Sequence, residues 1–120
     1  MYKFLVVDDE PLTREYMRAI LPTFFAVPEQ VMLFEAEDGI AASELLAVTS
    51  IDIVITDIRM PGMDGMQLAE LIHNRYQNTF VMLLSGYEEF SYAHSAIQFG
   101  VMDYLLKPIV KEELYEAILR

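Results

Sequence analysis

The most constraining feature of the sequence is a strict alternation of short apolar runs with helix-like segments along all 120 residues. The first run, FLVV (4–7), is continuous rather than alternating, which is typical of a strand buried on both faces of a sheet. We predict strands at 4–7, 31–36, 51–56, 80–84 and 101–106. We predict helices at 11–21, 38–48, 64–75, 85–99 and from residue 111 onward.

Strands that alternate with helices through short connections are expected to run parallel and to be joined by right-handed crossovers. The sequence therefore predicts an α/β fold, a doubly wound five-stranded parallel sheet of (βα)5 type in the flavodoxin-like order 2-1-3-4-5. In that order the first and third strands are neighbours. Ligands of such folds bind in the crevice beyond the carboxyl ends of these strands.

Composition and charge narrow the function classes. The chain is long enough for one domain, 1–120, and no run approaches the ~18–20 apolar residues of a membrane span. The formal net charge of -11 argues against nucleic-acid binding, because phosphate backbones select clustered Lys and Arg. Without cysteine, a metal must bind oxygen or histidine ligands, and His73 and His94 fall on separate predicted helices. We expect a soluble, cytoplasmic domain.

Acidic side chains follow two predicted strands that should be neighbours. VVDDEP places Asp8 and Asp9 after the first strand, and IVITD places Asp57 after the third. Asp is also a common turn residue, and Glu10 has an ordinary interpretation as a carboxylate near a helix N-terminus. Three converging carboxylates, however, would repel by ~4 kcal/mol per pair at 4 Å and an effective dielectric of 20. A hard divalent cation, Mg²⁺, would relieve that repulsion.

The other strand ends add a hydroxyl and a cation. Ser85 ends the predicted fourth strand, and Lys107 follows the fifth. Taken singly, Ser85 could cap a helix and Lys107 could lie at the surface. Together with acids and a metal, they form a set that suits a phosphoryl group, which indicates that a carboxylate is the phosphorylated nucleophile.

Four stretches, VVDDEP, ITDIRMPGMDG, LSGY and DYLLKPI, resemble in this order the signature sequences of response-regulator receiver domains from two-component signalling. The resemblance covers essentially the whole chain. It implies a switch that accepts a phosphoryl group from a sensor histidine kinase and is not a turnover enzyme.

The resemblance also implies how Mg²⁺ is held. Asp57 matches the phosphoacceptor, which is itself a metal ligand. Asp9 matches a direct ligand, and Asp8 an acid that acts mostly through a bound water. Arg59, two residues past the phosphoacceptor, matches the position whose backbone carbonyl is the third protein ligand.

Three further residues match the family's switching elements. Ser85 resembles the hydroxyl that hydrogen-bonds the phosphoryl group, Lys107 the lysine that pairs with it, and Tyr104 the switch aromatic. The resemblance further implies that the bond between Lys107 and Pro108 is cis.

The stretch SGYEEFSYAHSAIQFGVMDYLLKPI (85–109) resembles the subgroup whose receiver precedes an AraC-type DNA-binding domain. Such an output domain would lie beyond Arg120, where the last helical pattern stops without a capping glycine. The face of the fourth helix, fifth strand and fifth helix would then control transcription and could pair two copies. The chain departs from the subgroup at LPTFFAVPEQ (21–30), where we expect Phe24 and Phe25 to cover the core.

Two other function classes remain open. A phosphohydrolase with an aspartyl intermediate usually has a second acid two residues after its nucleophile, where this chain has Arg59. A flavin-binding electron carrier needs a phosphate loop rich in Ser, Thr and Gly after the first strand, where DDEP would repel phosphate. Turnover of a phosphate monoester, or a yellow colour on purification, would identify these alternatives.

Overall fold

The computed structural model describes residues 2–86 and 100–119. One parallel sheet has the order β2-β1-β3-β4-β5. Its strands are β1 Tyr2–Val7, β2 Val31–Ala36, β3 Ile53–Asp57, β4 Phe80–Ser85 and β5 Asp103–Leu106. The helices in the described part are α1 Pro11–Ile20, α2 Gly39–Val48, α3 Gly65–Arg75 and a C-terminal helix, Lys111–Leu119. The predicted doubly wound α/β fold and its strand order are confirmed.

Two predicted strands begin too early. The ranges 51–56 and 101–106 were expected, but β3 begins at Ile53 and β5 at Asp103. The side chain of Ile51 is nevertheless buried in the core, and Val101 packs against the same core. An apolar run therefore marks burial, which extends beyond the residues that pair in the sheet. The predicted helix at 85–99 falls outside the described residues except at its first two positions, and Ser85 there belongs to β4.

The helix after β1 ends at Ile20, where a short 3-10 helix, Leu21–Phe24, continues the chain. Pro22 has no N–H to bond the preceding turn, so the α-helical ladder cannot extend through it. Phe25 then stacks on the Tyr2 ring at 5.3 Å between centroids. Phe24 packs edge-on against another ring, and both phenylalanines contact the core, as predicted.

The two helices that follow β2 and β3 begin at the predicted caps. Asp38 accepts a hydrogen bond from the N–H of Ala41 at 2.8 Å. Asp64 accepts one from the N–H of Gln67, and the Gln67 side chain accepts one from the N–H of Asp64, both at 2.9 Å. The second pair is a capping box, which satisfies two donors at the helix start. The two caps hold the ends of the loops that connect β2 to α2 and β3 to α3, at the carboxyl edge of the sheet.

The core lies on both faces of the sheet. α2 and α3 cover one face, whose buried members include Leu5, Val7 and Val54. α1 and the C-terminal helix cover the other, whose buried members include Phe4 and Val6. The continuous apolar run of β1 is thus buried on both sides, as its pattern indicates. Within the described ranges, no helix has the length and apolar character that crossing a bilayer requires.

Candidate functional site

Four acids meet at the carboxyl edge of the sheet, where β1 and β3 lie side by side. Val7 pairs with Thr56, so Asp8 and Asp57 leave the sheet at the same level. Carboxylate oxygens of Asp8, Asp9, Glu10 and Asp57 all lie within 4.8 Å of one another. Asp8 is 0% exposed and Asp57 8%. Asp9 and Glu10 are exposed. The cluster therefore has a buried half and a half open to solvent.

Glu10 is a member of this cluster that the sequence analysis assigned only to the start of α1. Its backbone N–H donates to Asp8 Oδ1 at 2.9 Å, which closes a turn between β1 and α1. Its carboxylate oxygen Oε1 then lies 3.2 Å from Lys107 Nζ. The signal for this turn was present in the sequence, because Asp side chains commonly bond the backbone two residues on.

Lys107 provides the positive charge at the centre of the cluster. Its Nζ lies 2.9 Å from Asp8 Oδ2 and 3.3 Å from Asp57 Oδ2, in addition to the Glu10 contact. The Lys107 backbone N–H donates to the carbonyl of Ser85 at 2.6 Å, which holds the residue at the end of β5 next to β4. The peptide bond to Pro108 is cis, as the resemblance implies.

Burial and charge set the protonation of these groups. Burial raises the pKa of Asp8 above its ordinary value, although the Glu10 N–H and Lys107 oppose this. Burial, followed by the negative charge of Asp8, raises the pKa of Asp57. Burial disfavours the Lys107 ammonium, but its hydrogen bond to Asp8 and the surrounding carboxylates outweigh this and raise the pKa of Lys107. Burial is thus the main cost of ionising Asp8 and Asp57, and Lys107 offsets that cost only in part.

We expect Asp57→Asn to stabilise the Mg²⁺-free protein by on the order of 1 kcal/mol, because it removes a buried charge that the charge of Asp8 also repels. The folded-state pKa of Asp57 lies above its unfolded value, so ionising this carboxyl at neutral pH opposes folding. Urea denaturation in a chelator measures the change. Glu44→Gln, at an exposed acid on α2, is the control that also removes one negative charge, and it should have little effect. A less stable Asp57→Asn protein would contradict the prediction.

A cavity of about 240 Å³ opens beside the cluster. It is lined by Asp9, Glu10, Asp57, Ile58, Arg59, Ser85, Gly86 and Lys107. The predicted site residues Arg59 and Ser85 thus border the same space as Asp57. Tyr104 lies on β5 opposite Leu83 and packs against the core under α2 and α3.

Close backbone packing holds the loop between β3 and α3, which carries Arg59. The N–H of Gly65 donates to the carbonyl of Ile58 at 2.8 Å. A Cβ at Gly65 would collide with the carbonyl oxygen of Asp57. Only glycine lets the start of α3 approach β3 this closely. The loop is therefore anchored at the end nearest the cluster.

The donor set of the cluster suits a hard cation. All four acids offer carboxylate oxygens, which are the ligands that Mg²⁺ and Ca²⁺ select. The cavity beside them leaves room for water and for a phosphoryl group, both of which Mg²⁺ commonly retains as ligands. The residues present therefore fit a magnesium site.

Comparison with known proteins agrees with this arrangement. Residues 4–119 match the family described as response regulator receiver domain. The chain is 38% identical over 119 residues to the transcriptional regulatory protein HptR of Staphylococcus aureus strain NCTC 8325 / PS 47, covering 99% of this chain and 45% of HptR. It is 34% identical over 118 residues to the transcriptional regulatory protein YesN of Bacillus subtilis strain 168, covering 98% of this chain and 32% of YesN. The chain thus spans less than half the length of these relatives.

Solved structures show the same fold in related sequences. The REC domain of AraT, a response regulator from Geobacillus stearothermophilus, superposes with a TM-score of 0.84 at 38% identity, covering 98% of this chain and 90% of that one. The signal receiver domain of an HD domain-containing protein from Pseudomonas fluorescens Pf-5 gives 0.89 at 31% identity, covering 98% and 91%. The family match covers residues 4–119, and the arrangement of the site agrees with it. The chain belongs to the response regulator receiver domains.

Proposed function

We propose that this domain is a signalling switch in which Asp57 accepts a phosphoryl group from the phosphohistidine of a sensor kinase. The observation that carries the proposal is the position of Asp57, whose carboxylate borders the 240 Å³ cavity and lies 3.3 Å from Lys107 Nζ. A nucleophile, a cation and room for a phosphoryl group occur together there. Of the described acids, Asp57 alone lies on the sheet and also lines this cavity.

In the transfer step, an oxygen of Asp57 forms a bond to phosphorus as the bond between phosphorus and the histidine nitrogen breaks. Asp57 Oδ1 accepts the N–H of Ile58 at 2.9 Å, which orients the carboxylate before attack. We propose that Lys107 and Ser85 donate hydrogen bonds to the phosphoryl oxygens. Lys107 must then share its ammonium between the new group and Asp8.

We propose that Asp9, Asp57 and the backbone carbonyl of Arg59 hold Mg²⁺, with Asp8 acting mostly through a water. A bound Mg²⁺ would neutralise charge on the phosphoryl oxygens as it develops. The geometry supports this assignment, because carboxylate oxygens of Asp8, Asp9, Glu10 and Asp57 lie within 4.8 Å of one another and Lys107 is the cation whose contacts with three of them are seen in the described part of the chain.

For the output, we propose that phosphorylation recruits Ser85 and lets Tyr104 reposition, changing the face of the fourth helix, β5 and the C-terminal helix. That face would contact a partner or pair two copies. The names of HptR and YesN support a transcriptional output, which we propose is an AraC-type DNA-binding domain beyond Arg120. The receiver itself would not bind nucleic acid, would act in the cytoplasm with its kinase, and would not be a turnover enzyme.

Incubation with acetyl phosphate and Mg²⁺ tests the proposal. Intact-mass spectrometry should show one added phosphoryl group, labile to base, and a chelator should prevent the addition. Continuous release of phosphate from a phosphate monoester, without a phosphorylated protein, would instead identify a phosphohydrolase.

A further inference from the structure

Arg14 contacts the backbone of the acidic cluster without lining the cavity, and the sequence analysis gave it no role. It lies on α1, and its Nη1 donates to the backbone carbonyl of Asp8 at 2.6 Å. That carbonyl lies one residue beyond the end of β1. Asp8 is fully buried, so its carbonyl needs a partner from within the protein. Arg14 provides that partner.

The guanidinium of Arg14 is itself held in place. Its Nε lies 3.3 Å from Glu35 Oε1, on β2. Arg18 contacts the other oxygen of the same carboxylate at 3.1 Å. The Arg14 side chain is 19% exposed and that of Arg18 57%. Because the fork of a guanidinium is rigid and planar, a contact at Nε also fixes the direction of Nη1.

The carbonyl of Asp8 belongs to the peptide unit that joins Asp8 to Asp9. This unit is planar, so the direction of the carbonyl also sets the positions of the nitrogen and Cα of Asp9. The rest of Asp8 is already held, since its N–H donates to the carbonyl of Ala36 at 3.1 Å and its Oδ1 accepts from Glu10. The contact with Arg14 therefore fixes the remaining freedom of the turn that carries Asp9.

We propose that Arg14 is a positioning residue, which holds the Asp8–Asp9 peptide in the orientation that presents the Asp9 carboxylate to the cluster and thereby sets the affinity for Mg²⁺. This inference rests on the proposed magnesium site. Glu35 serves as the anchor of Arg14, and Arg18 shares that anchor without contributing to the turn.

Arg14→Gln and Arg18→Gln form a matched pair for the test. Each removes one positive charge and one contact with Glu35, but only the first removes the contact with the Asp8 carbonyl. Isothermal titration with MgCl₂ should show affinity reduced about 10- to 100-fold in Arg14→Gln, as is usual when a residue that orients metal ligands is lost. Arg18→Gln should stay within about twofold of wild type, because exposed ion pairs contribute little. Equal affinities in the two variants would overturn the proposal.

Arg14→Lys separates geometry from charge. Lysine keeps the positive charge but lacks the planar fork, so we expect Mg²⁺ affinity to remain below that of wild type. Wild-type affinity in Arg14→Lys, beside weak binding in Arg14→Gln, would overturn positioning in favour of a simple effect of charge.

Amide NMR of the Mg²⁺-free proteins provides a readout that does not depend on the metal. The resonances of Asp9 and Glu10 should shift more in Arg14→Gln than in Arg18→Gln, because only Arg14 contacts the carbonyl between Asp8 and Asp9. If wild-type protein failed to bind Mg²⁺, the proposed metal site would be wrong, and this comparison would still decide the role of Arg14. Equal shifts in the two variants would refute it.

Discussion

Asp57→Ala is expected to abolish phosphorylation of the domain by acetyl phosphate. The substitution removes the only described carboxylate that both ends a central strand and lines the cavity beside Lys107. Alanine also relieves the crowding of negative charge, so the variant should remain folded. Loss of the added phosphoryl mass would then report the missing nucleophile rather than unfolding.

Glu10→Gln is the matched control for that experiment. Glu10 lines the same cavity and contacts the same lysine as Asp57, but it lies on the exposed turn. We expect Glu10→Gln to be phosphorylated to the same extent as wild type. Peptide mapping should locate the modification in the segment that contains Asp57. Undiminished labelling of Asp57→Ala, with the phosphate on Asp9 or Glu10, would show that the acceptor is wrongly assigned.

The second large effect is expected from Asp9→Asn, which should remove most of the response to Mg²⁺. An ion that binds only the folded state adds stability by mass action, about 2.7 kcal/mol at one hundred times its dissociation constant. Asp9 is one of the two exposed acids of the cluster, and it lines the cavity. Thermal melts with and without MgCl₂ should therefore show a rise in Tm for wild type and almost none for Asp9→Asn.

Glu10→Gln again separates the metal ligand from its neighbour. It removes one negative charge from the exposed half of the same cluster, so general electrostatics would affect both variants alike. We expect Glu10→Gln to keep most of the Mg²⁺-dependent rise in Tm. Similar rises in the two variants would remove Asp9 as a direct ligand.

Much of the fold could be predicted from the sequence because its signals are local. The alternation of apolar runs and helical segments determined five parallel strands, and Asp38 and Asp64 marked helix starts through bonds to residues three positions on. The errors in the strand boundaries came from apolar residues, because a residue can be apolar either as part of a buried strand or as a buried neighbour of one. Ile51 and Val101 are apolar because they pack in or against the core, although neither belongs to a strand.

The candidate site was predictable to the extent that topology decides it. Parallel neighbours end at the same edge, so the residues at or just beyond the ends of β1 and β3 must lie close together whatever their side chains are. That argument reaches Asp8 and Asp57. It does not reach Arg14, whose contact with the site depends on how far a side chain on α1 extends and on Glu35 holding it from β2.

The sequence by itself determined that two adjacent aspartates follow β1, but only the tertiary structure decided that one is buried and the other exposed. Asp8 is fully buried, with all four of its polar backbone and carboxylate atoms bonded to other residues. Asp9 is exposed. Besides the neighbouring Glu10, the partners of Asp8 come from α1, β2 and the end of β5, and the last of these lies 99 residues away along the chain. Which aspartate is buried depends on how these elements pack together. Two identical neighbouring residues in the sequence do not predict it.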